Sequence, residues 1–510
     1  MGVAVSFNVQ YWVDGDGWVT ITSDTVAVEG LRLSYGITGN GPMDVCASVG
    51  TLEFTLNNAA NNSGGVQGYY SPLHANQRAN WDYGRLVRVV FTYSATDYVK
   101  FYGKLVSIDP EPGTYRGQRV AVRAEDGIAD MLHASVRKMG LQTDKYEDDL
   151  IDTVISSMPD DSRPPAWTLD EGLDFTSYAF DQLSGNMWAL PIIRDLVQSS
   201  NGLFVIEGSG TARYINRVNR STATSAITLT NTMHGLETAT SLQGLFNRVR
   251  VTIHPKSISA AATEELYASP ETAVILVPYG ETVELFVDYT DPNDRETKVG
   301  GASVVTAVVE GTHYHAYYPD LYLPGGGNPT ATITVTLTAF ASTAKWSFQN
   351  TSALGLPVEV RDLVIIGKVL RDLGEESYEA ASSQYYGERA LAIDLPFQQS
   401  ATTARHMAQW IADQYSVLAE QTSAVEFIAN DSSANMTAAL AVEPGDAITL
   451  TETVTGLSSV KCLVHSVSLD VTEGPWVRCR WGLAPGEPWS MWSLGTSGYT
   501  ELGQTTTLGF

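Results

Sequence analysis

The chain has 510 residues, of which 44% are hydrophobic and 17% are charged. This length is too great for one ordinary core and suggests about three or four domains. The 31 Lys and Arg residues against 57 Asp and Glu residues give a formal net charge of −26. Such a balance argues against a protein that holds nucleic acid, because phosphate binding needs clustered cations.

The number of cysteines and the N-terminal sequence indicate the cellular compartment in which the protein is expected to assemble. The three cysteines, Cys46, Cys462 and Cys479, are too few and too scattered for a disulfide scaffold and fit assembly in a reducing cytoplasm. Residues 1–7 have no basic region, and no stretch approaches 18 apolar residues. The sequence therefore predicts neither a signal peptide nor a membrane span.

The first 130 residues predict short strands separated by turns. Val87, Val89, Phe91 and Tyr93 alternate with Arg88, Val90 and Thr92, so one strand face is apolar. The polar stretch 57–65 is a loop. Residues 1–130 are therefore expected to form a small antiparallel barrel or sandwich.

Residues 131–220 predict a small α+β domain. Apolar residues at helical spacing indicate helices over 148–158 and 190–200, and Gly202 is expected to form the left-handed cap of the second helix. A hairpin follows, with strands over 203–206 and 211–215 around the turn 207–210.

The rest of the chain returns to strands. Residues 268–370 alternate over several short runs and predict an immunoglobulin-like sandwich. This sandwich is inserted between 221–267 and 371–490, which form one further β domain with a single helix. Ser400 is expected to cap that helix, which has an apolar stripe of Ala404, Met407, Ala408, Ile411 and Tyr415. Residues 491–510 are a C-terminal tail, and no short-period repeat is present.

Two groups of histidine and cysteine have spacings that metal ligands use. His313 and His315 would share a strand face, with Glu310 or Asp320 as a third ligand. Because neither Cys nor a further His is near them in sequence, an exposed aromatic patch is the preferred interpretation. Cys462 and His465 are three apart, so on a strand they face opposite ways. We therefore predict no metal site and no cofactor.

No catalytic constellation is visible. A glycosidase needs two carboxyl groups that face each other at roughly 5–9 Å, whereas neighbours in sequence suit solvated turns or the first turn of a helix. Known nucleophile, zinc-protease and phosphate-loop motifs are absent. We therefore predict no catalytic residue. The adjacent carboxylates concerned are Asp148–Asp149, Asp160–Asp161 and Glu375–Glu376.

Four tyrosines crowd into nine residues beside a glycine-rich loop at 325–327. Exposed aromatic rings stack on sugars and anchor protein interfaces, so these residues are a candidate glycan or partner contact. The alternative is that they are half-buried strand residues. The tyrosines are Tyr314, Tyr317, Tyr318 and Tyr322.

Several sequence motifs, in their order along the chain, resemble the tail hub proteins of tailed bacteriophages. Each motif is a short strand or a turn, and together they cover nearly the whole chain. They are residues 50–57 (GTLEFTLN), 70–72 (YSP), 84–89 (GRLVRV), 101–106 (FYGKLV), 125–127 (EDG), 382–389 (SSQYYGER) and 444–450 (PGDAITL).

The resemblance implies a mainly β, multidomain structural protein of the virion tail tip, assembled in the host cytoplasm. It implies two tube-type β-barrels per chain, at 1–130 and at 221–267 with 371–490. Three chains then form a ring that adapts a sixfold tube to a threefold tip. The implied partners are two further copies, a distal tail or tube protein, the tape-measure protein and fibre or tip proteins, with DNA passing unbound during ejection.

Two physical expectations accompany this resemblance. A negative surface repels a polyanion, so acidic and neutral residues on the barrel strands are expected to line the lumen. The inserted sandwich is expected to lie outside the ring, where it touches glycans or fibres during host attachment.

Two alternatives stay open at this point. One is a tail-associated hydrolase of cell-wall polymers, which would need a cleft with facing carboxylates. The other is a carbohydrate-binding receptor module at 268–370.

Overall fold

A computed structural model describes most of the chain. The residues that it describes are 3–113, 117–136, 142–179, 187–238, 244–319, 321–322, 327, 329, 332–382, 386–416, 422–472 and 476–486. The expected tail at 491–510, Asp320 and part of the glycine-rich loop lie outside these residues.

The N-terminal region consists of antiparallel strands, as the alternation of apolar residues predicts. Their apolar positions point into one core that includes Val87, Val89 and Phe91. The strands are β1 (Ser6–Val13), β2 (Gly17–Thr20), β3 (Leu31–Gly36), β4 (Ser48–Asn57), β5 (Leu86–Tyr93), β6 (Thr96–Glu111) and β7 (Arg119–Asp126). Helix α1 (Gly127–His133) follows, and the Asp126 carboxylate caps it by accepting from the Ile128 N–H.

The next region mixes helices with short strands and has a core of its own. The predicted helices and hairpin are present within one or two residues of their expected bounds. The elements are β8 (Ser135–Val136), β9 (Gln142–Tyr146), α2 (Glu147–Ser156), β10 (Trp167–Leu169), β11 (Phe175–Ala179), β12 (Met187–Trp188), α3 (Ala189–Ser200), β13 (Leu203–Ile206), β14 (Ala212–Ile215) and α4 (Arg217–Thr222).

The cap of α3 differs from the expectation. Asn201, with φ of 54°, takes the left-handed conformation that the sequence assigns to Gly202. Asparagine tolerates this region better than most residues. Gly202 is needed for space instead, since a Cβ there would lie 2.5 Å from the Tyr214 ring.

Three strands lead into an inserted antiparallel region with a separate core around Trp346 and Phe348. The leading strands are β15 (Ser225–Thr230), β16 (Gly235–Thr238) and β17 (Arg248–Ile253). The strands of the insertion are β18 (Lys256–Ile258), β19 (Glu264–Ala268), β20 (Ile275–Val277), β21 (Thr282–Asp288), β22 (Thr290–Asp291), β23 (Asp294–Lys298), β24 (Gly300–Ala302), β25 (His315–Tyr317), β26 (Ile333–Ala339), β27 (Thr343–Asn350), β28 (Val358–Arg361) and β29 (Val364–Asp372).

The chain returns from the insertion beside the point where it left. Strands β30 (Glu376–Ala381) and β31 (Ala390–Leu395) flank β17, and helix α5 (Ala401–Gln414) packs on them through its predicted stripe. The Ser400 hydroxyl caps α5 by accepting from the Thr403 N–H at 3.2 Å, so the predicted cap is confirmed.

The last region contains a second helix that the sequence reading missed. Helix α6 (Ser433–Ala441) is short and alanine-rich, so it has no strong amphipathic pattern. In the chain it lies between β32 (Thr422–Ile428) and β33 (Ala447–Glu452). Strands β34 (Leu457–Thr472) and β35 (Trp476–Pro485) follow.

One sheet of 13 strands unites the N-terminal and C-terminal regions. Its main path runs β16-β32-β35-β34-β3-β4-β7-β6-β5-β1-β2, and β33 pairs with β34 and β15. The molecule is therefore mainly β and multidomain, in agreement with the sequence. Among the helices that the structure describes, none is long and apolar enough to cross a membrane.

Candidate functional site

Two sets of five strands in the large sheet have the same topology. The first set is β3, β4, β5, β6 and β7, with sheet order β3-β4-β7-β6-β5. The second is β16, β32, β33, β34 and β35, with sheet order β16-β32-β35-β34-β33. Chain order and sheet order correspond strand for strand, so the molecule contains one β unit twice.

Local geometry repeats as well. The long strands β6 and β34 each have 16 residues. In β6 the pairing to β7 shifts between Leu105 and Ser107, and in β34 the pairing to β35 shifts between Val464 and Ser466. Val106 and His465 are therefore equivalent bulge residues, and each is followed by a serine. This equivalence defines the register that relates the two β units.

The two units meet where β3 of the first pairs with the second half of β34. This joint, which we call the filled joint, runs from Leu31 opposite Val471 to Gly36 opposite Ser466. The apolar residues of both units belong to one hydrophobic core. Gly36, with φ of 109°, passes so close to β34 that a Cβ there would lie 2.3 Å from the His465 carbonyl oxygen.

A buried ion pair fastens the filled joint. Lys100 on β6 is 1% exposed, and its Nζ donates to the carbonyl oxygens of Leu440 at 3.2 Å and Val442 at 3.1 Å and to Glu443 Oε1 at 2.6 Å. Glu443 Oε2 accepts from the Tyr35 hydroxyl at 2.9 Å and from the Gly208 N–H at 3.1 Å. One carboxylate thus connects both β units to the α+β region.

Electrostatics keep the Tyr35 hydroxyl of this site protonated. Burial and the adjacent Glu443 carboxylate raise the pKa of Tyr35 well above its ordinary value, so its hydroxyl stays a donor. Burial, followed by the charge of Glu443, also raises the pKa of Glu207. Lys100, Glu443 and Tyr35 are hydrogen-bonded to one another or to backbone groups. The role of this site is therefore structural.

The solvent face of the sheet has charges that alternate across five neighbouring strands. Along one row Arg123 lies opposite Glu53, Glu53 opposite Arg32, Arg32 opposite Asp470, and Asp470 opposite Arg478. Opposite charges on facing positions stabilise antiparallel strands. This row is neither uniformly basic nor uniformly acidic, so it does not offer a polyanion an uninterrupted run of cations.

The tyrosines named in the sequence do not form one surface. Tyr314 and Tyr318 are each 6% exposed and belong to the core of the insertion. Tyr317 and Tyr322 are 43% and 52% exposed. Contact with a glycan or partner therefore stays a prediction for Tyr317 and Tyr322, and the buried pair is better explained by packing.

The histidine and cysteine groups serve structural roles. His313 is buried and its Nδ1 accepts from the Val309 N–H at 3.0 Å, whereas His315 stacks on Tyr317. His465 is buried in the filled joint, where burial lowers its pKa to about 4. Cys462 and Cys479 are buried free thiols opposite Pro485 and Leu469. Among the described residues no group of His, Cys, Asp and Glu is arranged to hold a metal ion.

The adjacent carboxylates also fit local roles. Asp148 and Asp149 lie in the first turn of α2 and Asp160 and Asp161 in a single 3₁₀ turn, where negative charge is favourable. Glu376 begins β30 at the surface.

Comparison with known proteins gives structural similarity alone. No protein-family model matches the sequence, and no curated protein sequence matches it. Among solved structures, the chain is similar to a tail protein of prophage MuSo2 from Shewanella oneidensis, with 10% identity, a TM-score of 0.48 and coverage of 94% of this chain and 98% of that one. A tail protein from Neisseria meningitidis has 7% identity, a TM-score of 0.49 and coverage of 94% and 96%.

A third similar structure comes from E. coli. It is a component of the type VI secretion system, described as structurally similar to bacteriophage T4 tail proteins gp27 and gp5. Identity is 7%, the TM-score is 0.35, and the match covers 95% of this chain and 75% of that one.

Proposed function

We propose that the chain is a structural component of a phage tail tip, a hub in which three copies form a ring around a channel. The observation that carries this proposal is the duplicated β unit, joined side by side within one sheet. Three copies with two units each supply six equivalent positions. A ring of this kind can contact a sixfold tube on one side and a threefold tip on the other.

The surface chemistry supports a passive channel. The net charge of −26 repels a polyanion, and the charged row on the solvent face pairs its arginines with carboxylates. We propose that this face lines the lumen, where its acidic residues are paired with arginines; the acidic and neutral lining expected from sequence stays a prediction for the rest of the lumen. DNA then passes without a site to hold it.

The remaining parts take positions outside this ring. The insertion leaves β17 and returns to β30 at the same end of these two strands, where Ile253 lies opposite Glu376, and we propose that fibres or host glycans are accessible to it there. Tube, tape-measure and tip proteins are the proposed partners, and the virion tail tip is the proposed location. Contact with a glycan through Tyr317 and Tyr322 is tested by an array probed with the wild type and with a Tyr317→Ser/Tyr322→Ser variant.

Electron cryo-microscopy of the purified chain, together with its native mass, tests the ring. We expect threefold particles with six β units around an open lumen. A chain that stays monomeric at every concentration, and that takes no ring position in assembled tails, contradicts the proposal. A deep cleft with facing carboxylates in such a monomer, together with clearing of purified peptidoglycan, supports a hydrolase instead.

A further inference from the structure

The repeated β unit leaves two strand edges without a strand partner in the described part of the chain. On the second half of β34, residues Ser466–Val471 pair with β35 on one side and with β3 on the other. On the equivalent half of β6, residues Ser107–Glu111 pair with β7 alone, because the backbone hydrogen bonds to the β5 side end at Leu105. Strand β16, the equivalent of β3, pairs with β32 alone.

These two edges are equivalent to the two strand edges that pair in the filled joint. In the first unit, Ser107 lies opposite Arg123, Arg123 opposite Glu53, and Glu53 opposite Arg32. In the second unit, Ser466 lies opposite Gly482, Gly482 opposite Ala424, and Ala424 opposite Glu237. Glu237 is therefore the equivalent of Arg32. Five residues past the bulge, Glu111 is the equivalent of Asp470.

We propose that a second copy of the chain completes this joint by adding its β16 to the second half of β6, with Glu237 of one copy opposite Glu111 of the other. The register is transferred from the filled joint, where Arg32 lies opposite Asp470. Addition of a strand to an open sheet edge is a common mode of recognition. This inference rests on the proposed ring, because a head-to-tail contact must close on itself to give a finite particle.

The joint between copies is weaker than the filled joint. Arg32 and Asp470 have opposite charges, whereas Glu111 and Glu237 are both acidic, and Glu237 is already paired with Arg480 at 2.7 and 2.8 Å. In the filled joint, Leu469 lies opposite Leu33 and has a backbone N–H that can donate to β3. Its equivalent Pro110 has no N–H to donate to an added strand. The Tyr83 hydroxyl already donates to the Ile108 carbonyl on this edge at 3.4 Å. Proline and charge are the usual protections of an exposed edge, so copies should join reversibly.

Cysteine pairs in the full-length chain test the register. An antiparallel pair that is not hydrogen-bonded has Cα atoms about 4.5 Å apart, within the disulfide range. We expect Glu111→Cys/Glu237→Cys to form covalent oligomers on mild oxidation, ending in a closed trimer that returns to monomer on reduction. Native thiols interfere little, since two are buried and burial raises the pKa of Cys46 to about 12.

Three controls make this test specific. Arg32→Cys/Asp470→Cys places the same pair in the filled joint and should cross-link within one chain. Asp109→Cys/Glu237→Cys is displaced by two residues and should cross-link poorly, and each single cysteine variant should stay monomeric on a denaturing gel. If the Arg32/Asp470 pair cross-links and the Glu111/Glu237 pair does not, while native mass shows a trimer, the joint is wrong and the ring stands. Open cross-linked chains without a ring overturn the hub function and leave the joint in place.

A charge reversal gives a second readout that needs no disulfide. Glu111→Arg recreates the opposite charges of the filled joint, so self-association in sedimentation should be about threefold to tenfold tighter than in the wild type. Glu271→Arg, an exposed loop position of the insertion, changes the net charge equally and should have no such effect. Equal association of the two variants contradicts the proposal.

Discussion

At the scale of single residues, Lys100 has a charged side chain in a buried position. Its ammonium is buried and bonded to two carbonyl oxygens and to Glu443. Loss of one partner of a buried pair costs about 3–5 kcal/mol, because the other charge stays behind. We therefore expect Lys100→Met to lower the apparent Tm by several degrees, measured by circular dichroism.

Two further variants isolate the charge of Lys100 from its packing. Lys100→Met/Glu443→Gln removes both charges and should recover part of the lost stability. Lys298→Met breaks an exposed pair with Asp288 and should cost about 0–1 kcal/mol. If Lys100→Met is no more destabilising than Lys298→Met, the buried pair does not fasten the joint.

Asp126, at the junction of β7 and α1, is expected to make the stability of the fold depend on pH. Burial raises its pKa to about 7, although the N–H groups of Gly50 and Ile128 act in the opposite direction. Between about pH 4, near the ordinary value, and pH 7 the folded chain holds a proton on Asp126 that the unfolded chain loses. Stability should therefore fall as pH rises through this window, by roughly 4 kcal/mol at most.

The Asp126→Asn variant cannot ionise and still caps a helix. It should lose that part of the pH dependence, so its apparent Tm relative to the wild type should be higher at pH 8 than at pH 4.5. An equal difference at both pH values would show that Asp126 does not titrate in this window.

At the scale of elements, the filled joint depends on the absence of a side chain at Gly36. A Cβ there would meet the His465 carbonyl oxygen at 2.3 Å and the Ser466 Cα at 2.9 Å, on top of the strain of positive φ. Gly36→Ala should thus cost well over 2 kcal/mol, measured as a fall in apparent Tm. Gly456→Ala, also at positive φ but with nothing within 4 Å, should cost only about 1 kcal/mol. Equal losses would mean that the contact with β34 tolerates a methyl group.

Individual elements were predictable, but the joint between them was not. Alternation located strands such as β5, and the Ser400 cap with its apolar stripe located α5, because these signals are local. The duplicated unit left almost no sequence signal beyond the serines at 107 and 466, since equivalent positions such as Val106 and His465 or Pro110 and Leu469 differ in chemistry. Burial of Tyr314 and Tyr318 depends on strands distant in sequence, so spacing alone could not separate them from Tyr317.

At the scale of the whole molecule, the insertion should be separable from the rest of the fold. It leaves after β17 and returns at β30, where Ile253 pairs with Glu376 and the Leu373 N–H donates to the Pro255 carbonyl oxygen at 3.1 Å. Replacement of residues 255–374 by Asn-Gly would close a two-residue hairpin between His254 and Glu375. Because the insertion has its own core and the open strand edges lie on other strands, the shortened chain should fold and keep the self-association of the full chain in sedimentation. Loss of association with a preserved circular dichroism spectrum would place the contact between copies on the insertion and contradict the proposed strand joint.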